Sequence, residues 1–250
     1  MPFRRVPLQA LAVLSFVLVV ASCGRGGFGR EYEYDEEIFL DLDGSATVVV
    51  NGSLYAFVAL HGLAVNPDPG VRFDRAAFRA LWEADGVEVT RVSRPWRRDG
   101  RRFVQVRLEV DDIRRLGRVA PLAWSAIAYE AEGDQMVYRQ RIGESRNAPV
   151  TGANWTGEEL VAFRLHLPSR ITFHNAPSRE VERGNIVRYE QPLTERLKGV
   201  PVEVEVRMDR QSIFRRTMTV FGISVGAALS LLALIILWVR RKGQASQPAA

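Results

Sequence analysis

Residue types able to carry chemistry are sparse and scattered in this 250-residue sequence. Histidine occurs at His61, His166 and His174, and the one cysteine is Cys23. His166 and His174 lie an even number of residues apart, so an unbroken strand would place both on one face. Pro168 interrupts that strand, and no carboxylate or thiol stands at metal-ligand spacing from either ring. Ser125 and Ser169 lack the Gly-x-Ser-x-Gly turn that presents a nucleophilic hydroxyl. Gly24-Arg25-Gly26 does not lie between a strand and a helix, where a phosphate loop must sit. The pair Asp111-Asp112 reads more simply as a helix cap than as an acid–base couple. The expectation is a protein that is not an enzyme and that holds no metal and no cofactor.

Binding chemistry is better represented. Arg91, Arg94, Trp96, Arg97, Arg98, Arg101 and Arg102 place six guanidiniums and an indole within twelve residues. Guanidinium forks match phosphate oxygens bidentately, and a Trp among them suits a membrane interface. Near an anionic bilayer each arginine contributes about 1 kcal/mol. Arg94, Trp96, Arg97, Arg98, Arg101 and Arg102 are therefore the candidate headgroup-binding site, with membrane lipid as the partner. The alternative is a solvated turn whose arginines pair with nearby acids.

Cys23 closes the tetrapeptide Val20-Ala21-Ser22-Cys23. Upstream stand Arg4 and Arg5, then Val6 to Val20 with only Gln9 and Ser15 polar, then small residues. That order resembles the signal peptide of bacterial lipoproteins, whose lipobox ends in the cysteine that becomes the acylated N-terminus. The resemblance implies cleavage after residue 22 and a covalent diacylglycerol on the Cys23 sulfur. An ordinary signal peptide, or an uncleaved anchor helix with a chance cysteine, is the other reading.

A second membrane signal runs from Met218 to Val239, twenty-two residues without a charge. At roughly 1.5 Å per residue it reaches about 33 Å, enough for a hydrocarbon core of about 30 Å. Trp238 falls where an interfacial aromatic belongs, and Arg240, Arg241 and Lys242 follow as a stop. Basic residues on the two sides balance, so the charge rule leaves the orientation open. An exporting N-terminus settles it: the main domain is expected outside the cytoplasmic membrane and the tail inside. Gly222, Gly226 and Ser230 recur every four residues, a small-residue stripe that lets helices approach. It predicts a homo-oligomer or a membrane-protein partner, against a helix that packs on nothing in particular.

The net charge of +5 belongs to these flanks. All 29 acidic residues lie between positions 24 and 217, where the 34 basic residues, less those at positions 4, 5, 240, 241 and 242, also number 29. The high pI therefore reports membrane flanks rather than a nucleic-acid surface, and no nucleic acid is expected. With no second cysteine, the exported part must be held by its core alone.

Periodicity supplies the elements. Glu31 to Glu37 reads as an acidic lead-in, after which Ile38, Leu40 and Leu42 alternate, Asp43-Gly44 turns, and Ala46 to Val50 resumes an extended run. Ser53 to Leu63 favours a helix broken by Gly62. A clearer helix starts at the capping residue Asp74, with Phe73 and Phe78 at staple spacing, Phe78, Leu81 and Trp82 on one face, and Gly86 as its stop. Val87 to Val92 and Arg102 to Val110 form strands joined across Asp99-Gly100, and Asp111 or Asp112 caps a short helix through Leu116. Trp124 to Glu130 pairs with Met136 to Ile142 across Gly133-Asp134. A polar loop, Gly143 to Gly157, leads to Leu160–Leu167, Arg170–Phe173, Asn185–Tyr189 and Val202–Met208. The fold class is α+β, a mostly antiparallel sheet with one or two packed helices. The expected organisation is a signal peptide over 1–22, a tether over 23–37, an exported domain over 38–209, a transmembrane helix over 218–239 and a cytoplasmic tail over 240–250.

A family resemblance accompanies these elements. The lipobox cysteine, the hairpin Asp41-Leu-Asp-Gly-Ser-Ala-Thr-Val, the C-terminal span, and Leu167-Pro168-Ser169-Arg170-Ile171 followed by Asn175 and Gly184-Asn185-Ile186-Val187 resemble LppM-type bacterial envelope lipoproteins. Leu167 stands where that family has Phe, Ser169 where it has Gly, and Arg188-Tyr189 where it ends in Thr-Trp. The resemblance covers about two thirds of the exported region by order of elements. It implies a membrane-anchored, non-catalytic domain that handles envelope lipids or glycolipids. A structural or assembly factor of a membrane complex is the alternative, and an exported hydrolase has no constellation behind it.

Overall fold

The computed structural model describes residues 32–245, with the backbone alone at 212–217 and 238–245. Cys23 and the sequence expected as signal peptide lie outside the described residues. Among the described residues twelve strands form two sheets around one core. The chain runs β1 (Tyr32–Leu40), β2 (Ala46–Ser53), α1 (Leu54–His61), α2 (Arg75–Ala80), β3 (Val87–Val92), β4 (Trp96–Arg98) and β5 (Arg101–Val110). Two 3-10 turns, Ile113–Arg118 and Ala120–Leu122, precede β6 (Ser125–Glu132), β7 (Gln135–Ile142), β8 (Leu160–His166) and β9 (Ser169–His174). The chain ends with β10 (Val181–Glu182), β11 (Ile186–Pro192), α3 (Leu193–Leu197), β12 (Val202–Ser212) and α4 (Ile213–Ala245).

The larger sheet has the order β10-β11-β8-β1-β2-β5-β3, with β4 paired to β5, and the smaller the order β6-β7-β12-β9. The α+β class therefore holds. Strand pairing is antiparallel except between β1 and β8, which run parallel with Glu36 opposite Phe163 and Ile38 opposite Leu165. Alternation aims Tyr34, Ile38 and Leu40 of β1, Val48 and Val50 of β2, and Val104, Val106 and Leu108 of β5 at the core, where Tyr138, Val204, Val206 and Met208 of the smaller sheet are also buried. Leu167 and Pro168 pass the chain from one sheet to the other. His166 and His174 consequently stand on different sheets, as the proline break requires.

Several elements depart from the sequence expectations. The first strand starts at Tyr32, inside the stretch expected as a tether to residue 37, and Glu33, Asp35 and Glu36 are buried in it. Local composition there is polar, but distant donors meet each acid. The Asp74 helix is capped as expected, through Asp74 Oδ1 to the Ala76 and Ala77 amides, yet it stops at Ala80 rather than running to Gly86. The Trp82 amide bonds the Arg79 carbonyl, a tighter turn that drives the fully buried Trp82 ring against Phe57 and Phe78. Gly86, at φ +75°, serves instead the turn into β3. The Asp99-Gly100 turn joins β5 to the added strand β4 rather than to β3. The helix over 54–61 forms between the cap Ser53 and the left-handed Gly62.

At the C-terminus β12 passes into α4 with no intervening residue, and α4 extends past the expected span to Ala245. Its segment Met218–Leu237 has mean hydropathy 2.6, is long and apolar enough to cross a membrane, and is uncovered by the rest of the fold. An uncovered apolar helix of this length fits membrane association.

Candidate functional site

The arginine-rich hairpin is only partly available for binding. Asp99 and Gly100 both take positive φ, 50° and 74°, as a tight two-residue hairpin requires, so Trp96 faces Phe103, Arg97 faces Arg102 and Arg98 faces Arg101. Arg101 is buried: its Nε lies 3.2 Å from Glu33 Oε2, and its guanidinium also meets Asp99, Glu159 and the Ala153 carbonyl. Arg102 is buried too and donates to the carbonyls of Val71, Asn66 and Asp68. Arg98 caps the Phe103 ring at 4.0 Å and donates to the Tyr32 carbonyl. The expectation of six arginines free to reach phosphate is therefore corrected. Arg98, Arg101 and Arg102 hold the hairpin to β1 and to two loops, while Arg91, Arg94, Arg97 and Trp96 are exposed.

Register also places the tip. Val110 at one end of β5 pairs with Ala46, which pairs with Leu40 at the end of β1; Phe39 beside it pairs with His166 at the end of β8. Three residues later Ser169 pairs with Ser212, from which α4 departs. The Asp99-Gly100 tip lies at the other end of β5, about 30 Å away at ~3.4 Å per residue. It stands at the end of the larger sheet opposite the strand ends that lead to the span.

A second group of arginines was not anticipated. Arg75, Ala76 and Arg79 of α2 face Thr90, Arg91 and Val92 of β3 across a groove of about 380 Å³ with no carboxylate in its lining. Arg75 and Arg79 are one turn apart on the same helix face. The pairing of β3 with β5 slips between Val89 and Arg91, a bulge that leaves Thr90 outside the ladder and redirects the side chains beside it. Arg79 is fixed by a hydrogen bond from its terminal nitrogen to the Val89 carbonyl and approaches Glu83 only at 3.8 Å. Neither Arg75 nor Arg91 has an ion pair among the described residues. The signal was present in the sequence as an i, i+4 arginine pair, overshadowed by the apolar face of the same helix.

A third cluster is buried. Glu36 of β1 accepts hydrogen bonds from the Tyr34 hydroxyl at 2.6 Å and from Trp124 Nε1 at 3.1 Å, while its second oxygen has no donor. Burial pushes its carboxyl up to about 7, against the pull of those two donors and of Arg196. Arg196 of α3 is fully buried, lies 4.7 Å over the Trp124 ring, and donates to the carbonyls of Val200 and Gly143. His61 ends α1 beside Trp124, with ring centroids 4.3 Å apart. Burial and the Arg196 charge hold its imidazole down at about 3, so it is neutral in the fold. Cavities of about 250 Å³ beside His61 and Trp124 and about 220 Å³ beside Phe73 and Phe78 are smaller than the about 300–1,000 Å³ typical of ligand pockets. Phe78 and Trp82 are both buried.

Of the remaining predicted features, Gly222 and Gly226 open onto free space, and the Ser230 hydroxyl turns back to the Gly226 carbonyl at 2.8 Å. Among the described residues no group of three His, Cys, Asp or Glu side chains could hold a metal ion.

The fold and these clusters define a sheet-dominated α+β domain joined directly to a candidate membrane span. No family model matches the chain, and no curated protein does. Among solved structures it is similar to the NMR structure of the folded domain of the Mycobacterium tuberculosis LppM protein, with a TM-score of 0.38 and 13% identity over 74% of this chain and 94% of that one. A likeness at that level transfers neither family membership nor ligand.

Proposed function

We propose that this chain is a non-catalytic, membrane-anchored module that binds the anionic headgroup of an envelope lipid or glycolipid at its surface, without enclosing the acyl chain. The observation that carries this reading is the groove between α2 and β3, which Arg75, Arg79 and Arg91 line with no carboxylate in the lining, Glu83 standing outside it 3.8 Å from Arg79. Three guanidiniums with one held in place suit a phosphate, which takes two parallel N–H bonds from each fork. In this reading α4 crosses the cytoplasmic membrane, the domain faces outward, and Cys23 carries a second, lipid anchor.

The test uses the full chain in nanodiscs of neutral phosphatidylcholine, titrated with glycerophosphoglycerol and, for comparison, glycerophosphocholine. The anionic headgroup should bind and the zwitterionic one should not. Arg75→Ser with Arg91→Ser should weaken binding by about 30-fold, two charge-assisted contacts of about 1 kcal/mol each. Equal affinity for both headgroups, or an unaffected double variant, would refute the reading.

A further inference from the structure

The end of the larger sheet that leads to α4 carries exposed apolar and basic side chains. β8 closes at His166, Leu167 and Pro168 cross to the smaller sheet, and Ser169 pairs with Ser212, whose successor opens α4. His166 therefore stands within about 15 Å of the root of α4, three residues at about 3.5 Å each and one strand spacing of about 5 Å. The residues from Ile213 to Thr217 add about 8 Å of helix before the apolar segment begins at Met218. A headgroup layer has that depth, about 5–8 Å on each side of the hydrocarbon core. A lipid on Cys23 allows the same placement: the chain from Cys23 to Tyr32 reaches about 32 Å when extended, enough to cover the about 27 Å of β1.

The outward face of β1 and β8 changes character toward that end. Away from it, Arg164 is shared between Asp35 at 2.6 Å and Glu37 at 2.5 Å, so its charge is neutralised within the sheet. At the end the face turns aromatic, where Phe39 is 38% exposed and stacks on His166 at 4.0 Å and 26°. That contact fixes the ring, so little conformational freedom is lost when it docks. The Arg183-Gly184 tip between β10 and β11 belongs to the same corner. Asn185 donates from its side-chain amide to the Leu167 carbonyl and accepts from the Leu167 amide, both at 2.9 Å. Arg183 is exposed there with no ion pair among the described residues, and Val181 beside it is exposed as well.

An apolar ring suits the boundary between headgroups and hydrocarbon, and a guanidinium takes lipid phosphate. We infer that Phe39 and Arg183 form the face by which the domain rests on the headgroup layer of the bilayer that α4 crosses. The inference rests on the reading of α4 as a span and not on the groove between α2 and β3. Trp96 and Phe173 are also exposed but stand away from this end, Trp96 on the distant hairpin and Phe173 four residues along β9 from Ser169. A protein partner seated on Phe39 and Arg183 would instead shield them from lipid.

The full chain with Cys23→Ser receives one of Phe39→Cys, Val181→Cys, Trp96→Cys, Phe173→Cys or Leu229→Cys and a fluorophore on the new thiol, in nanodiscs of equal parts phosphatidylglycerol and phosphatidylcholine. Lipid with a nitroxide on its headgroup should quench positions 39 and 181 and leave 96 and 173 bright. Lipid with a nitroxide on its acyl chain should quench position 229. With the reporter at 181, Phe39→Ser with Arg183→Ser should lose most of the quenching, and Phe39→Leu with Arg183→Lys should keep it, which separates loss of contact from loss of the fold. Neither pair should alter glycerophosphoglycerol binding, so this face and the groove can fail apart. An unquenched position 229 would deny the span and this inference with it. With 229 quenched, unquenched positions 39 and 181, equal quenching at 96 or 173, or an unaffected Phe39→Ser, Arg183→Ser variant would overturn the inference alone.

Discussion

Glu36 and His61 titrate in opposite senses, and together they predict a stability profile that neither would give alone. An acid raised from 4.5 to about 7 keeps its proton in the fold after the unfolded chain has lost it, so its contribution falls as pH rises through that window. A base lowered from 6.5 to about 3 stays neutral in the fold while the unfolded chain is protonated, so its contribution falls as pH drops through that window. Between the two unfolded values, 4.5 and 6.5, the two groups contribute slopes of similar size and opposite sign, which largely cancel. Glu36→Gln keeps an acceptor for Tyr34 and Trp124 but removes one slope. Relative to the parent, its stability should rise by about 2 kcal/mol from the lower to the upper value. His61→Gln should fall by a similar amount. Guanidinium unfolding of the full chain in detergent, followed by tryptophan fluorescence across that window, reads both. Because the comparison is between variant and parent, titration of other groups drops out. Variant profiles parallel to the parent would refute the argument.

Three further outcomes follow from the packing. Arg101→Ala leaves the buried Glu33 carboxylate without its cation and should cost about 3–5 kcal/mol in guanidinium unfolding; a change below about 1 kcal/mol would show the pair to be solvated. A Cβ on Gly117 would lie 2.5 Å from the Ser125 carbonyl oxygen, so Gly117→Ala should force the turn away from β6 and cost about 1–3 kcal/mol, where an unchanged midpoint would contradict that approach. Cys23→Ala should remove an acyl mass from the intact protein while carbonate extraction still leaves the chain in the membrane through α4; release of the variant into the soluble fraction would deny the span.

Much of the fold was legible because its signals are local. Asp43-Gly44, Asp99-Gly100 and Gly133-Asp134 mark tight turns between alternating runs, and Ser53, Asp74 and Gly62 cap helices where cap chemistry says they should. What was not legible depends on partners far along the chain. The residues from Tyr32 to Glu37 look like a solvated acidic lead-in until Ser53, Arg101, Trp124, Trp155 and Arg164 arrive to satisfy Glu33, Asp35 and Glu36. The parallel register of β1 with β8 joins segments more than a hundred residues apart, and no periodicity announces it. The binding site shows the same division. A run of arginines marks a basic surface, but only tertiary packing sorts Arg98, Arg101 and Arg102 into structural contacts and gathers Arg75, Arg79 and Arg91 into a groove.

The central claim is that this groove takes an anionic headgroup. Its most direct measurement is the NMR of guanidinium Nε–H groups in the full chain as glycerophosphoglycerol is added. The account predicts shifts at Arg75, Arg79 and Arg91, and none at Arg94, Arg97 or Arg101. Shifts confined to the hairpin arginines, or no shift at any of the six, would contradict it.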